Sequence, residues 1–146
     1  MVALVSVHFV RFEREEVGSF DAALDAIGPK KRVAALIFDR HSTIIHYAPF
    51  LHFVSYYQAE KGGVVMFTFA GYNHWPIDFK PGKYPPPGGP ARPMWEWEPE
   101  RVSPDRDLQP YFDAILVRGS GMPESKCYAR TFEGDRWSVY ERTCIP

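Results

Sequence analysis

From residue 32 to residue 70 the chain reads RVAALIFD, then a turn, then PFLHFVSYYQAEKGG, then VVMFTFA. Two short apolar β-rich runs flank one amphipathic segment, a pattern that predicts a β-α-β crossover. Val33 to Phe38 is continuously apolar between Lys30-Lys31-Arg32 and Asp39-Arg40-His41, as expected of a central strand covered on both faces. Pro49 suits a first helical turn, with Phe50, Phe53, Val54 and Tyr57 as the buried stripe and Gly62-Gly63 as the stop. Val64 to Phe69 is the second expected strand, and a right-handed crossover sets it parallel to the first.

Residues 1–31 form a leading helical segment. Val5, Val7 and Phe9 alternate like a strand, yet Val2, Val5, Phe9 and Phe12 also trace a helical stripe. Beyond Phe12 the helix prevails, because Val17, Phe20, Leu24 and Ile27 recur at spacings of three and four. Gly18-Ser19 predicts a kink or a restart there, and Gly28-Pro29 a left-handed cap followed by a stop. Residues 71–110 break the pattern with PGKYPPPGGPARP and three of the four tryptophans. Such a length without periodic structure is an excursion, not a simple connection. A short helix near Asp105 to Tyr111, a third buried strand over Asp113 to Arg118, and a hairpin complete the chain. The hairpin runs from Cys127 to Phe132 and from Trp137 to Thr143, the latter an edge strand with one buried face. The pattern predicts one α/β domain over 1–146: a small three-layer Rossmann-like sheet, mostly parallel, with a C-terminal antiparallel hairpin.

Composition narrows the class. Apolar content of 45% and aromatic content of 16% support a packed core. A net charge of −1 without a basic run removes the electrostatic footprint of nucleic-acid binding. No stretch approaches the roughly 18 to 20 apolar residues of a bilayer span. MVALVSVHFVRF lacks both the basic start and the cleavage site of a signal peptide, so the chain reads as a soluble piece. For Cys127 and Cys144 the plainer expectation is two unlinked thiols. The alternative is a cross-strand disulfide, since both flank the hairpin, which would imply an oxidising compartment.

Ligands of open α/β sheets favour the carboxyl ends of the strands. Those ends carry Asp39-Arg40-His41, Gly71-Tyr72-Asn73-His74 and Arg118-Gly119-Ser120-Gly121. Asp39, His41, His74 and Arg118 are therefore the catalytic candidates, and Tyr72, Asn73, Trp75, Trp95 and Trp97 the ligand-binding ones. The aromatic residues read first as caps on exposed sheet or helix surface, and second as a binding lip. No metal site is expected: His46 and His52 are not three or four apart, and His52 beside Phe53 reads as a hydrogen-bonded core histidine. Glu96, Glu98 and Glu100 resemble a glycosidase cluster but read as a solvated face. Nucleotide and nucleophile signatures are absent, so no cofactor is implied.

Four stretches carry a family likeness: FDAALDAIGPKKRVAALIFD (20–39), APFLHFVSYYQAEKGGVVMFTFA (48–70), PYFDAILVRG (110–119) and GDRWSVYER (134–142). Together they resemble the C-terminal, membrane-external domain of bacterial multi-spanning membrane proteins, the polyprenyl-phosphate-sugar-dependent glycosyltransferases and their kin. The resemblance implies a helix leaving the last membrane span and then a small α/β domain. That family's catalytic acids lie in loops between membrane helices, which this chain lacks, so no catalytic residue carries over. The resemblance therefore implies a non-catalytic accessory domain at the extracytoplasmic, periplasmic face, partnered by its own membrane-embedded part and by a glycan or polypeptide acceptor. Two alternatives stay open: a standalone, cytoplasmic α/β enzyme using the strand-end edge, and a binding module working through the aromatic excursion.

Overall fold

The structure, a computed structural model, describes residues 2–68, 80 and 95–145. Its centre is a five-stranded sheet in the order β2-β1-β3-β5-β4. The strands are β1 (Arg32–Ile37), β2 (Val64–Val65), β3 (Ala114–Arg118), β4 (Tyr128–Glu133) and β5 (Trp137–Arg142). β1 pairs in parallel with β2 and β3, whereas β5 pairs antiparallel with β3 and β4. The class is α/β with a mixed sheet. The expected mostly parallel sheet is corrected to an even division, because the hairpin enters beside β3 rather than extending the parallel edge. β5 is therefore an interior strand, and β4 takes the edge.

Alternation along the strands divides the core in two. Val33, Ala35, Ile37, Ala114, Leu116, Trp137 and Val139 face one cluster. Ala34, Leu36, Ile115, Val117 and Tyr128 face the other. Both faces are buried, which explains why β1 reads as an unbroken apolar run. The first face is covered by α2 (Phe20–Ala26), by a 3-10 turn at Pro49–His52 and by α3 (Val54–Lys61). Phe50, Val54 and Tyr57 are fully buried there, as their spacing predicts. The second face is covered by no long helix among the described residues. Met66, Phe67, Val102, Leu108 and Phe112 pack on it from short turns, including the π-helical turn Pro104–Leu108.

Several boundaries differ from the sequence reading for local reasons. β2 has two residues, not six, because Met66 and Phe67 both enter the second cluster and so abandon strand alternation. Phe69 and Ala70 lie outside the described residues. The ambiguous start is helical: α1 (Val2–Phe12) runs into a π-helical turn, Glu13–Val17, which ends at Gly18 with φ 65°. Gly28 supplies no left-handed cap. Ile27 leaves α2 in an extended conformation, and the positive φ falls on Lys30, at 59°. Glu96 is buried, so it does not belong to a solvated acidic face. The two cysteines are joined, correcting the unlinked-thiol expectation: Cys127 and Cys144 form a disulfide with Cα atoms 4.9 Å apart.

Candidate functional site

Parallel pairing of β1 and β3 sets Ile37 opposite Arg118, so both strands release their chains at one edge of the sheet. Chain order makes that edge special. β1 leads to β2 on one side and β2 leads to β3 on the other, so the order reverses between β1 and β3. Such a reversal leaves a crevice between diverging connections at the carboxyl ends.

Arg118 fills the floor of this crevice at 1% exposure. Its Nε donates to Asp39 O at 2.8 Å, and one Nη donates to Glu16 O at 2.8 Å and lies 3.5 Å from Asp39 Oδ2. The guanidinium sits over the Phe50 ring, 3.4 Å from its centroid, and 5.2 Å from that of Trp137. Burial pushes its pKa down to about 10, against the pull of Asp39, which still leaves it charged at neutral pH. Trp137, the cross-strand partner of Arg118, donates from Nε1 to Val17 O at 2.7 Å. The two side chains thus satisfy carbonyls at the end of the π-helical turn, where helix geometry leaves acceptors without partners.

Glu16 enters the crevice from that turn, 7% exposed. Its Oε1 accepts from the Thr43 N–H at 2.8 Å and from the Thr43 hydroxyl. Burial would raise its pKa, but the neighbouring Ser42 hydroxyl, the two Thr43 hydrogen bonds and the Arg118 charge hold the carboxyl below its ordinary value. Two polar atoms remain unspent. Arg118 Nη1 and Glu16 Oε2 are buried without a hydrogen-bond partner among the described residues. Both side chains line a hollow of about 260 Å³, together with Glu15, Asp39, His41, Thr43 and Arg136. Arg136 lies 3.7 Å from Asp39 Oδ2, so that carboxylate is shared between two arginines.

A larger hollow, about 510 Å³, lies elsewhere, beside Asp105, Tyr128 and Tyr140. Asp105 there is committed to its own loop, accepting from the Ser125 hydroxyl and from the N–H groups of Lys126 and Cys127. The strand-end crevice is smaller but is lined by two side chains that carry buried polar atoms without a partner among the described residues.

Of the residues singled out from sequence, Asp39, His41 and Arg118 meet in this crevice. His74, Tyr72, Asn73 and Trp75 lie outside the described residues. Trp95 is half-buried against the second core cluster. Trp97 is 41% exposed, and its carbonyl accepts from Arg40 at 2.7 Å. Neither tryptophan lines the crevice. His52 is half-buried on the turn before α3, and no group of three or more metal-binding side chains occurs among the described residues. Glu16 is not among the sequence candidates, although a signal for it is present: it stands four residues from Phe12 and four from Phe20, inside the buried stripe. Comparison of the chain with protein-family models, curated proteins and solved structures finds no match in any of the three.

Proposed function

We propose that the chain is a non-catalytic α/β domain of a membrane-bound, glycosyltransferase-like protein, held at the bilayer surface through α1 and contacting a glycan or polypeptide acceptor. One observation carries this reading. Val5, Val7, Phe9 and Val10 are 50%, 57%, 62% and 44% exposed. At 3.6 residues per turn they spread over roughly 200° of the α1 circumference. An amphipathic helix serving one protein groove would gather them on a narrow stripe, whereas an apolar surface this wide suits surroundings that are apolar on most sides. Arg11, paired with Glu15 at 3.0 Å, and Arg14 supply a polar collar where α1 meets the body. No helix among the described residues is long and apolar enough to cross a membrane, so α1 would be a contact or a continuation, not a span.

Two further features support the reading. The disulfide suits an oxidising compartment such as the periplasmic face. The 2-1-3 order of the parallel strands, with α3 in the crossover, is compatible with the small α/β domain the family likeness implies. The native gene tests the covalent part of the proposal. The frame directly upstream of Met1 is expected to stay open and to encode several membrane spans. A stop codon and ribosome-binding site there would contradict the proposal and favour a standalone α/β enzyme, the second reading, which the Asp39–His41–Arg118 crevice supports.

A further inference from the structure

We infer that the body of the domain meets the bilayer through a second, aromatic surface: a shoulder of Ile44, Ile45, Tyr47, Phe53 and Tyr56 around the foot of α1, seated among the lipid headgroups. The inference rests on the membrane-surface reading of α1 and adds which face of the body turns to the lipid.

The shoulder is continuous with the helix. Phe12, the last residue of α1, stacks on Phe50 with ring centroids 5.3 Å apart and meets Phe53 edge-on at 6.5 Å. Phe53 in turn touches Tyr56 at 5.7 Å. A second connection comes from the loop before α3. The Thr43 N–H donates at 2.8 Å to Glu16 Oε1, in the π-helical turn that prolongs α1, and so holds the loop against the same foot. Ile44 and Ile45, which follow, are half-buried against the first core cluster.

Formal charge is missing from this shoulder. Residues 41–59 are the longest stretch of the chain without Asp, Glu, Lys or Arg, and residues 1–10 have none either, although such residues make up 24% of the sequence. Burial does not account for the gap, since His46, Tyr47, Tyr56, Gln58 and Ala59 are exposed. A surface kept for water carries charged residues throughout. Tyr47 and Tyr56 are 87% and 54% exposed. A tyrosine pairs an apolar ring with a polar tip, which suits a layer apolar on one side and wet on the other, and tyrosine gathers at membrane–water interfaces for that reason. Tyr47 also stands at φ 147°, a backbone conformation that side chains rarely adopt, so the local turn does not call for it. A protein groove would cover one side of α1 or the shoulder beside it. A lipid layer covers both at once, because the apolar surface passes from the helix on to the body.

The test uses the full chain carrying single nitroxide labels. Cys127 and Cys144 are bonded to each other, so an introduced cysteine is the reactive thiol. Phe9→Cys reports on α1, Tyr47→Cys and Tyr56→Cys on the shoulder, and Arg130→Cys on exposed β4 as a contrast. With phosphatidylcholine–phosphatidylglycerol vesicles, the labels replacing Phe9, Tyr47 and Tyr56 are expected to lose most of their accessibility to a water-soluble nickel chelate and to gain accessibility to oxygen. The label replacing Arg130 is expected to stay as it is without lipid. Tyr56 makes ring contacts with Phe20 and Phe53, so Ala59→Cys, one turn along on the same face, takes its place if the labelled variant does not fold. Shielding at Phe9 with either shoulder label left as in lipid-free solution would overturn the inference and leave the α1 reading standing. An unshielded label at Phe9 would overturn both. Equal shielding at Arg130 would overturn the inference by showing that no face of the body is preferred.

Discussion

Arg118 and Asp113 stand at opposite ends of β3 and tie together opposite edges of the sheet. Replacing Arg118 with Met keeps a buried aliphatic stem but leaves the carbonyls of Glu16 and Asp39 without their donor. Loss of those bonds, with their buried acceptors exposed to no substitute, is expected to cost about 2–4 kcal/mol in urea denaturation. A cost within about 0.5 kcal/mol would mean that the clamp is ornamental. Asp113 accepts from the Arg32 N–H at 2.8 Å and from Arg142 at 2.7 Å, joining β1, β3 and β5 at their other end. Burial raises its pKa, but Arg32 and Arg142 together hold it below the ordinary aspartate value. A depressed folded-state pKa contributes stability that is complete above the unfolded value, near 3.9, and is lost as pH falls through the folded one. Asp113→Asn should therefore flatten the fall in stability below about pH 4. A slope unchanged from the wild type would assign acid sensitivity to other groups. Sequence alone displays Arg118 as the last residue of an apolar run, AILVR, but its burial depends on Phe50 and Trp137, which no local pattern places beneath it.

Among the elements, those whose periodicity is set by burial are legible in the sequence, and those set by neighbours are not. β1 and β3 follow from apolar runs, because both sheet faces are covered there, and the β4–β5 hairpin follows from the alternation of β5 and the Glu133-Gly134-Asp135 turn. β2 is shorter than its apolar run, since Met66 and Phe67 are as apolar as a strand but serve the second cluster from a turn. Gly63 marks its start for a physical reason. At φ 94° a Cβ would press on the Lys31 carbonyl that the Val64 N–H uses, so Gly63→Ala is expected to cost about 2–3 kcal/mol in thermal denaturation. A melting temperature within a degree or so of the wild type would show that the turn can re-form. The Cys127–Cys144 bond ties the start of β4 to the chain beyond β5, across a separation of 17 residues. By loop-closure entropy it contributes about 3 kcal/mol, so Cys127→Ser with Cys144→Ser should lower the urea midpoint accordingly. Non-reducing mass spectrometry of the wild type should find both thiols oxidised, and two free thiols would remove this contribution. Two cysteines flanking a hairpin leave bonded and unbonded forms open until the strands set their distance.

At the scale of the whole molecule, the α/β class is legible in the sequence, while the layer on the second sheet face is not. Among the described residues that layer is built by Met66, Phe67 and the turns between Pro99 and Phe112, of which only the short helical segment near Asp105 to Tyr111 shows in the sequence. The crevice is half legible: Asp39, His41 and Arg118 are strand exits, whereas Glu16 arrives from a helix far away in sequence. The proposal that this domain works at a membrane surface rests on α1, so α1 should be tested in the intact chain. Flotation with phosphatidylcholine–phosphatidylglycerol vesicles measures it directly. The wild-type chain is expected to rise with the vesicles, and the double variant Val7→Lys, Phe9→Lys to remain behind with its fold and melting temperature unchanged. A wild-type chain that stays with the soluble fraction, or a double variant that floats equally well, would rule out a membrane-surface role for α1.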